Sequence, residues 1–167
     1  MGFFNKSKED KDHKADRSVL FTGTTLQPLG KIQQGWIVEL TLDPDERKLH
    51  LKNKQACADI TIPYERLRGF DLEDETTLAK SGGTLGRALV GGALFGAAGA
   101  VVGGMSGKGK TKTKWYGSLS YEDKDGNPQE LHFEEFLSFK NVNPASLQFK
   151  NRVNAIAAGN RQDITEL

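Results

Sequence analysis

Residues 36–42, with the sequence Trp-Ile-Val-Glu-Leu-Thr-Leu, place an apolar side chain at every second position. This period of two predicts a β-strand with one buried face, formed by Trp36, Val38, Leu40 and Leu42. A strand of this kind needs a neighbour and a core beneath it. The surrounding sequence supplies both.

A turn and two partner strands follow this central strand. Residues 43–46 (Asp-Pro-Asp-Glu) are typical of a β-turn, because proline suits its second position. Leu49 and Leu51 then alternate with polar residues, and Ile60 and Ile62 repeat the pattern further along the chain. This part of the chain is predicted to be an antiparallel meander.

The same pattern continues in both directions. Four more strands are predicted at residues 19–21, 67–72, 115–121 and 130–133, and an Asp-Gly pair at 125–126 favours a hairpin between the last two. With the central strand and its two partners, the sequence predicts about seven strands.

The C-terminal segment is predicted to be a helix. Asn143 can cap it, Pro144 suits its first position and Gly159 suits the position after its end. Its apolar face comprises Phe149, Val153, Ile156 and Ala157. The expected fold is therefore α+β but mostly β: a bent antiparallel sheet, or partly open barrel, closed at one corner by the helix.

Composition limits the possible classes of protein. The chain has 167 residues and a net charge of +1, so no global electrostatic field draws it to nucleic acid or to an anionic membrane. Cys57 is the only cysteine, which favours a reducing, cytoplasmic compartment. The histidines lack metal-ligand spacing, and no catalytic motif is predicted.

The sequence divides into four parts. Residues 1–17 alternate acids and bases and are expected to form a disordered arm. Residues 18–158 form a single domain, interrupted by a glycine-rich insert at 81–109. Residues 159–167 are expected to be a tail.

Two stretches carry a resemblance to a known family. They are residues 60–67 (Ile-Thr-Ile-Pro-Tyr-Glu-Arg-Leu) and the glycine-rich residues 91–104. Together they resemble the bacterial and phage pleckstrin-homology-like proteins, in which such a strand precedes a glycine-zipper insert. The resemblance spans about residues 20–158. It implies a pleckstrin-homology-like domain without catalytic residues, cofactor or metal.

The insert has an 18-residue core without charge, at residues 88–105. A helix here would carry a stripe of small residues and two G-x-x-x-G pairs, which allow close helix packing. These residues are Ala88, Gly92, Gly96, Gly99, Ala100, Gly103 and Gly104. A helical hairpin is favoured, because a single membrane crossing would separate strands that must pair. Three interpretations stay open: packing on protein, entry into a membrane leaflet, or a glycine-rich loop without a role.

A basic run follows the insert and consists of Lys108, Lys110, Lys112 and Lys114. It is interpreted first as a solvated edge strand, then as an anionic-membrane patch, and least as a nucleic-acid contact. Residues 104–111 also match the P-loop pattern. The residues after them predict a strand and not the helix that a P-loop opens, so nucleotide hydrolysis is not predicted.

The sequence thus favours a non-enzymatic interaction module that binds an unidentified protein partner. The insert would promote homo-oligomers or peripheral docking at an anionic membrane surface, the inner membrane face. The alternative is a membrane-perturbing effector assembled through the hairpins. Tyr64, Trp115 and Tyr116 are predicted partner contacts, whereas Trp36 and Phe133 are assigned to the core.

Overall fold

A computed structural model describes residues 20–74, 77, 113–136 and 141–163. It contains seven strands, a 3-10 turn at Tyr64–Arg66 and one long C-terminal helix, α1, at Pro144–Asp163. The strands are β1 (Leu20–Thr25), β2 (Ile37–Asp43), β3 (Lys48–Asn53), β4 (Ala58–Pro63), β5 (Leu67–Asp74), β6 (Trp115–Glu122) and β7 (Pro128–Glu135).

The strands form one antiparallel sheet in the order β4-β3-β2-β1-β7-β6-β5. β4 and β5 lie at its two edges, although only the three-residue turn Tyr64–Arg66 separates them in the chain. The sheet must therefore curl until its edges approach each other, but the edges do not pair. The predicted partly open, mostly β architecture with a C-terminal helix is confirmed.

The core confirms the period-two pattern in the first strands. Val38, Leu40 and Leu42 are buried on β2, and Leu49 and Leu51 lie opposite on β3. Trp36 precedes β2 and Ile60 lies on β4. Both are half-buried against this core.

Four aromatic rings form the centre of the core. Phe21 lies 5.1 Å from Phe70 and 5.9 Å from Phe133 between ring centroids, both in edge-to-face geometry. Phe149 of α1 completes the set, 5.0 Å from Phe70. The close approach of Phe70 to β6 requires glycine at position 117, because a Cβ atom there would lie 2.7 Å from the ring. Phe133 is a core residue, as predicted.

Helix α1 begins as predicted and ends later. The Ala145 N–H donates to Asn143 Oδ1 at 3.0 Å, so Asn143 caps the helix. The prediction that Gly159 follows the helix end is wrong, because α1 continues to Asp163. Its last turns are held by tertiary hydrogen bonds: Asn160 donates to the carbonyl of Tyr64 at 2.7 Å, and Arg161 to that of Arg68 at 2.9 Å.

The same helix covers the outer edge of β5. Asn154 donates to the Phe70 carbonyl at 3.0 Å and accepts from the Phe70 N–H at 2.8 Å. One side-chain amide thus provides both hydrogen bonds that a neighbouring strand would make to this residue. A further strand could therefore not pair with β5 at Phe70 unless it displaced Asn154.

We expect Asn154→Ala to destabilise the domain by about 1–3 kcal/mol, because it leaves the buried backbone groups of Phe70 without partners. Asn151→Ala is the matched control. Asn151 is exposed on the same helix, and both changes gain the same helix propensity. Urea unfolding of both variants checks this. Equal midpoints would show that the Asn154 bonds do not hold the edge.

Candidate binding groove

A groove of about 160 Å³ lies where the curled sheet fails to close. One side is β4 with the last residue of the 3-10 turn, and the other is the β6–β7 hairpin. The lining residues are Leu29, Ile60, Thr61, Ile62, Pro63, Arg66, Tyr121, Glu122, Asp123, Lys124 and Leu131. We call this set the β4 groove.

The inner surface of the β4 groove is mainly apolar. Ile60 and Ile62 contribute from β4, and Leu131 from β7. Leu29 is fixed by paired backbone hydrogen bonds with Ile32, at 2.8 and 2.9 Å. Burial raises the pKa of Tyr121, as expected for a phenol against an apolar wall.

The free side of β4 distinguishes this groove from the opposite edge of the sheet. β4 pairs with β3 alone, from Ala58 opposite Asn53 to Pro63 opposite Lys48. Within the described residues, neither strand nor helix covers the other side of β4 as α1 covers β5. An extended chain could therefore add to the sheet here.

The acidic groups of the groove are held by the protein itself. Arg68 donates to both Glu122 carboxylate oxygens, at 2.8 and 2.6 Å, and these hydrogen bonds lower the Glu122 pKa. Asp123 accepts the N–H groups of Asn127 and Asp125, each at 2.9 Å. These bonds, Asn127 first, lower the Asp123 pKa. Both carboxylates stabilise the hairpin: Glu122 is paired with a cation, and Asp123 is held by uncharged donors.

The predicted contact residues do not form one site. Tyr64 and Tyr116 are only 7% and 4% exposed, so both belong to the interior and not to the surface assigned to them from sequence. Tyr64 packs into the core from the 3-10 turn, with the Arg47 guanidinium 6.0 Å from its ring centroid. Trp115 is half-buried and pairs with Asp74, at the end of β5 remote from Tyr64.

Most of the other predicted positions lie outside the described residues. They are Ala88, Gly92, Gly96, Gly99, Ala100, Gly103, Gly104, Lys108, Lys110 and Lys112. The helical-hairpin interpretation of the insert lies there too. Lys114 is described: its ammonium lies 3.1 Å from Glu134 Oε1, so its charge is paired. The membrane-patch interpretation stays a prediction.

The structure reveals a polar cluster that local sequence patterns did not identify. Ser118 donates to Glu130 Oε1 at 2.7 Å and lies 3.3 Å from His132 Nδ1, and burial lowers the His132 pKa despite the nearby Glu130. In a hydrolytic triad the histidine links serine to the carboxylate. Here the serine contacts the carboxylate directly, and 3.8 Å separates His132 Nε2 from Glu130 Oε2. This geometry stabilises the sheet and does not activate a nucleophile.

Glu135 is a second buried polar group, 3% exposed at the end of β7. The Ser146 side chain and the Asn143 backbone, at the N-terminus of α1, favour the charged form of Glu135 and act to lower its pKa. Desolvation nevertheless dominates and raises the Glu135 pKa above its ordinary value of 4.5. A raised folded-state pKa means that this group's contribution to stability decreases as the pH rises above 4.5.

We expect Glu135→Gln to become more favourable, relative to the parent protein, as the pH rises from 4.5 to 7. The amide replaces the buried charge, so it avoids the desolvation cost. Urea unfolding at several pH values gives the difference in unfolding free energy. Glu122→Gln is the opposite control: the Glu122 pKa is lowered, so the carboxylate's advantage is present above pH 4.5 and is lost below it. A Glu135→Gln difference that stays constant with pH would contradict the assignment.

Two further properties of the described residues concern other classes of site. No group of three or more His, Cys, Asp or Glu side chains there could hold a metal ion. Among the described helices, none has the length and apolar character needed to cross a membrane.

A curled, unclosed sheet of seven antiparallel strands with a C-terminal helix packed against it is the architecture of a pleckstrin-homology-like domain. The sequence model of the family described as glycine zipper-containing PH domain matches residues 31–119, more than half of the chain. The chain therefore belongs to this family. A comparison with curated proteins gives no match. PH-like domains are generally non-catalytic interaction modules.

Proposed function

We propose that this protein is a non-enzymatic interaction module that binds an extended segment of a partner protein along the free edge of β4. The difference between the two sheet edges carries this proposal. Asn154 of α1 makes the strand-like hydrogen bonds to β5, whereas β4 borders an apolar groove and pairs with β3 alone.

Strand addition explains how such a groove would be used. Backbone hydrogen bonds to a sheet edge provide affinity for any extended chain, and pockets for alternate side chains provide specificity. Ile60 and Ile62 point their apolar surface toward the groove, and Tyr121 and Leu131 line the other side. An apolar residue at every second position of the partner would meet this surface.

The insert at residues 81–109 supplies the second part of the proposal: it mediates homo-oligomerisation or peripheral docking at the cytoplasmic face of a membrane. Support comes from its uncharged small-residue stripe and from membership of a glycine-zipper family. The insert joins β5 to β6, whose ends pair through Asp74 and Trp115. Arg66 of the β4 groove precedes the opposite end of β5. The strand ends that flank the insert therefore lie at the end of β5 that is farther from Arg66.

We expect a peptide with five alternating valine and threonine residues, flanked by glycine and serine, to shift the amide resonances of β4 in an NMR titration. Ile60→Lys should abolish these shifts, because it places a charge in the apolar groove. Ile37→Lys is the matched control, since Ile37 is an exposed strand residue outside the groove. Unchanged binding by Ile60→Lys, or shifts confined to other strands, would contradict strand addition at β4.

We expect deletion of residues 84–107 to reduce either the oligomer mass in analytical ultracentrifugation or sedimentation with vesicles of anionic lipid. The deletion preserves the Asp74–Trp115 pairing at the base of the insert. Loss of mass alone assigns the insert to self-association, and loss of sedimentation alone to membrane docking. Dye leakage from the vesicles that requires the insert would favour the membrane-perturbing effector. Identical behaviour of both proteins in all assays would contradict a role for the insert.

A further inference from the structure

Resting on the proposed peptide-binding function, we infer that the segment bound in the β4 groove is acidic. The ligand of the groove is an extended chain with apolar residues at alternate positions and carboxylates beside them. Two of the charged side chains that line the groove have partners within the described residues, and two do not.

Four charged residues line the β4 groove: two acids and two bases. Both acids already accept hydrogen bonds from other groups of the protein. Glu122 is held by the Arg68 guanidinium, and Asp123 is surrounded by the hairpin's N–H groups and by the Asn127 and Gln129 side chains. The oxygens of both carboxylates are therefore occupied by donors from the protein, although Asp123 has no ion-pair partner among the described residues and keeps its charge.

The bases are in the opposite situation. Within the described part of the chain, neither the Arg66 nor the Lys124 side chain takes part in a hydrogen bond or an ion pair. Arg66 ends the 3-10 turn that follows β4, and Lys124 lies in the β6–β7 hairpin turn. One free cation therefore belongs to each side of the groove, and a chain lying along β4 passes both.

The two cations of the groove favour a ligand of negative charge. A basic segment would meet Arg66 and Lys124 and would find the acidic oxygens already occupied, whereas an acidic segment would pair with both cations without breaking the Arg68–Glu122 bridge. Charges at the rim of an interface act chiefly on association rate and specificity, while the apolar groove and backbone hydrogen bonds supply the remaining affinity. The Arg68–Glu122 pair also keeps the hairpin side in place, so Arg68 is a positioning residue.

The test compares three labelled peptides with the same alternating Val-Thr centre, flanked on both sides by glutamate, serine or lysine. Affinity is measured by fluorescence anisotropy at low and high salt, and the binding site by NMR shifts of the β4 amides. At low salt the glutamate peptide should bind about tenfold more tightly than the serine peptide, because each exposed ion pair contributes at most a factor of about five. The lysine peptide should bind least tightly. High salt should reduce these differences.

The double variant Arg66→Glu with Lys124→Glu should reverse the order, so that the lysine peptide binds most tightly. Since neither side chain makes a hydrogen bond or ion pair within the described residues, the variant is expected to fold. Its urea midpoint checks this, and Arg66→Gln with Lys124→Gln is the milder version, which should abolish the preference. The control Lys31→Glu with Arg152→Glu makes the same change in net charge on exposed residues outside the groove lining. It should preserve the original order.

The outcomes separate the inference from the proposed function. If all three peptides shift the β4 amides with equal affinity, the peptide-binding function holds and the acidic preference is wrong. A preference for glutamate that survives charge reversal, or that the control variant also loses, overturns the assignment to Arg66 and Lys124. If none of the peptides shifts the β4 amides, the proposed function fails and the inference fails with it.

Discussion

The structure depends on one constraint: an unclosed β-sheet has two edges, and the backbone groups along each edge need hydrogen-bond partners. The short turn between β4 and β5 places both edges on the same side of the domain. Helix α1 resolves the constraint at β5, where Asn154 makes the two hydrogen bonds of a missing strand and Asn160 and Arg161 bind the backbone beside it. The length of the helix beyond Gly159 follows from these contacts.

The β4 groove exists because, among the described residues, α1 supplies hydrogen-bond partners to the β5 edge of the sheet and not to the β4 edge. If α1 covered β4 as it covers β5, or if β4 paired with β5, the barrel would close and no groove would exist. Phe149 instead fills the space beside Phe21 and Phe70, so the core is complete without closure. The opening is therefore compatible with a stable domain, and the proposed binding edge is not the edge that α1 stabilises.

The sequence predicted the parts of the fold that local patterns encode. Alternation identified the buried face of β2 through Val38 and Leu40, and Asn143 marked the start of α1. The contacts that build the site were not predictable in this way. Arg68 and Glu122 are 54 residues apart, and Asn154 lies 84 residues from Phe70. Tyr64 was misassigned because a tyrosine beside a proline is typical of a surface corner, while the 3-10 turn directs its ring into the core.

The β4 groove and the strand ends that flank the insert lie at opposite ends of β5. The insert leaves the sheet where Asp74 pairs with Trp115, and the β4 groove begins at the other end of β5, beside Arg66. The proposed oligomer or membrane contact through the insert would hold several grooves near one another. Weak binding of single acidic segments would then be strengthened by multivalency, because the second contact becomes intramolecular. Among the described residues, Arg66 and Lys124 are the groove cations without a side-chain partner, so charge would supply specificity and assembly would supply affinity.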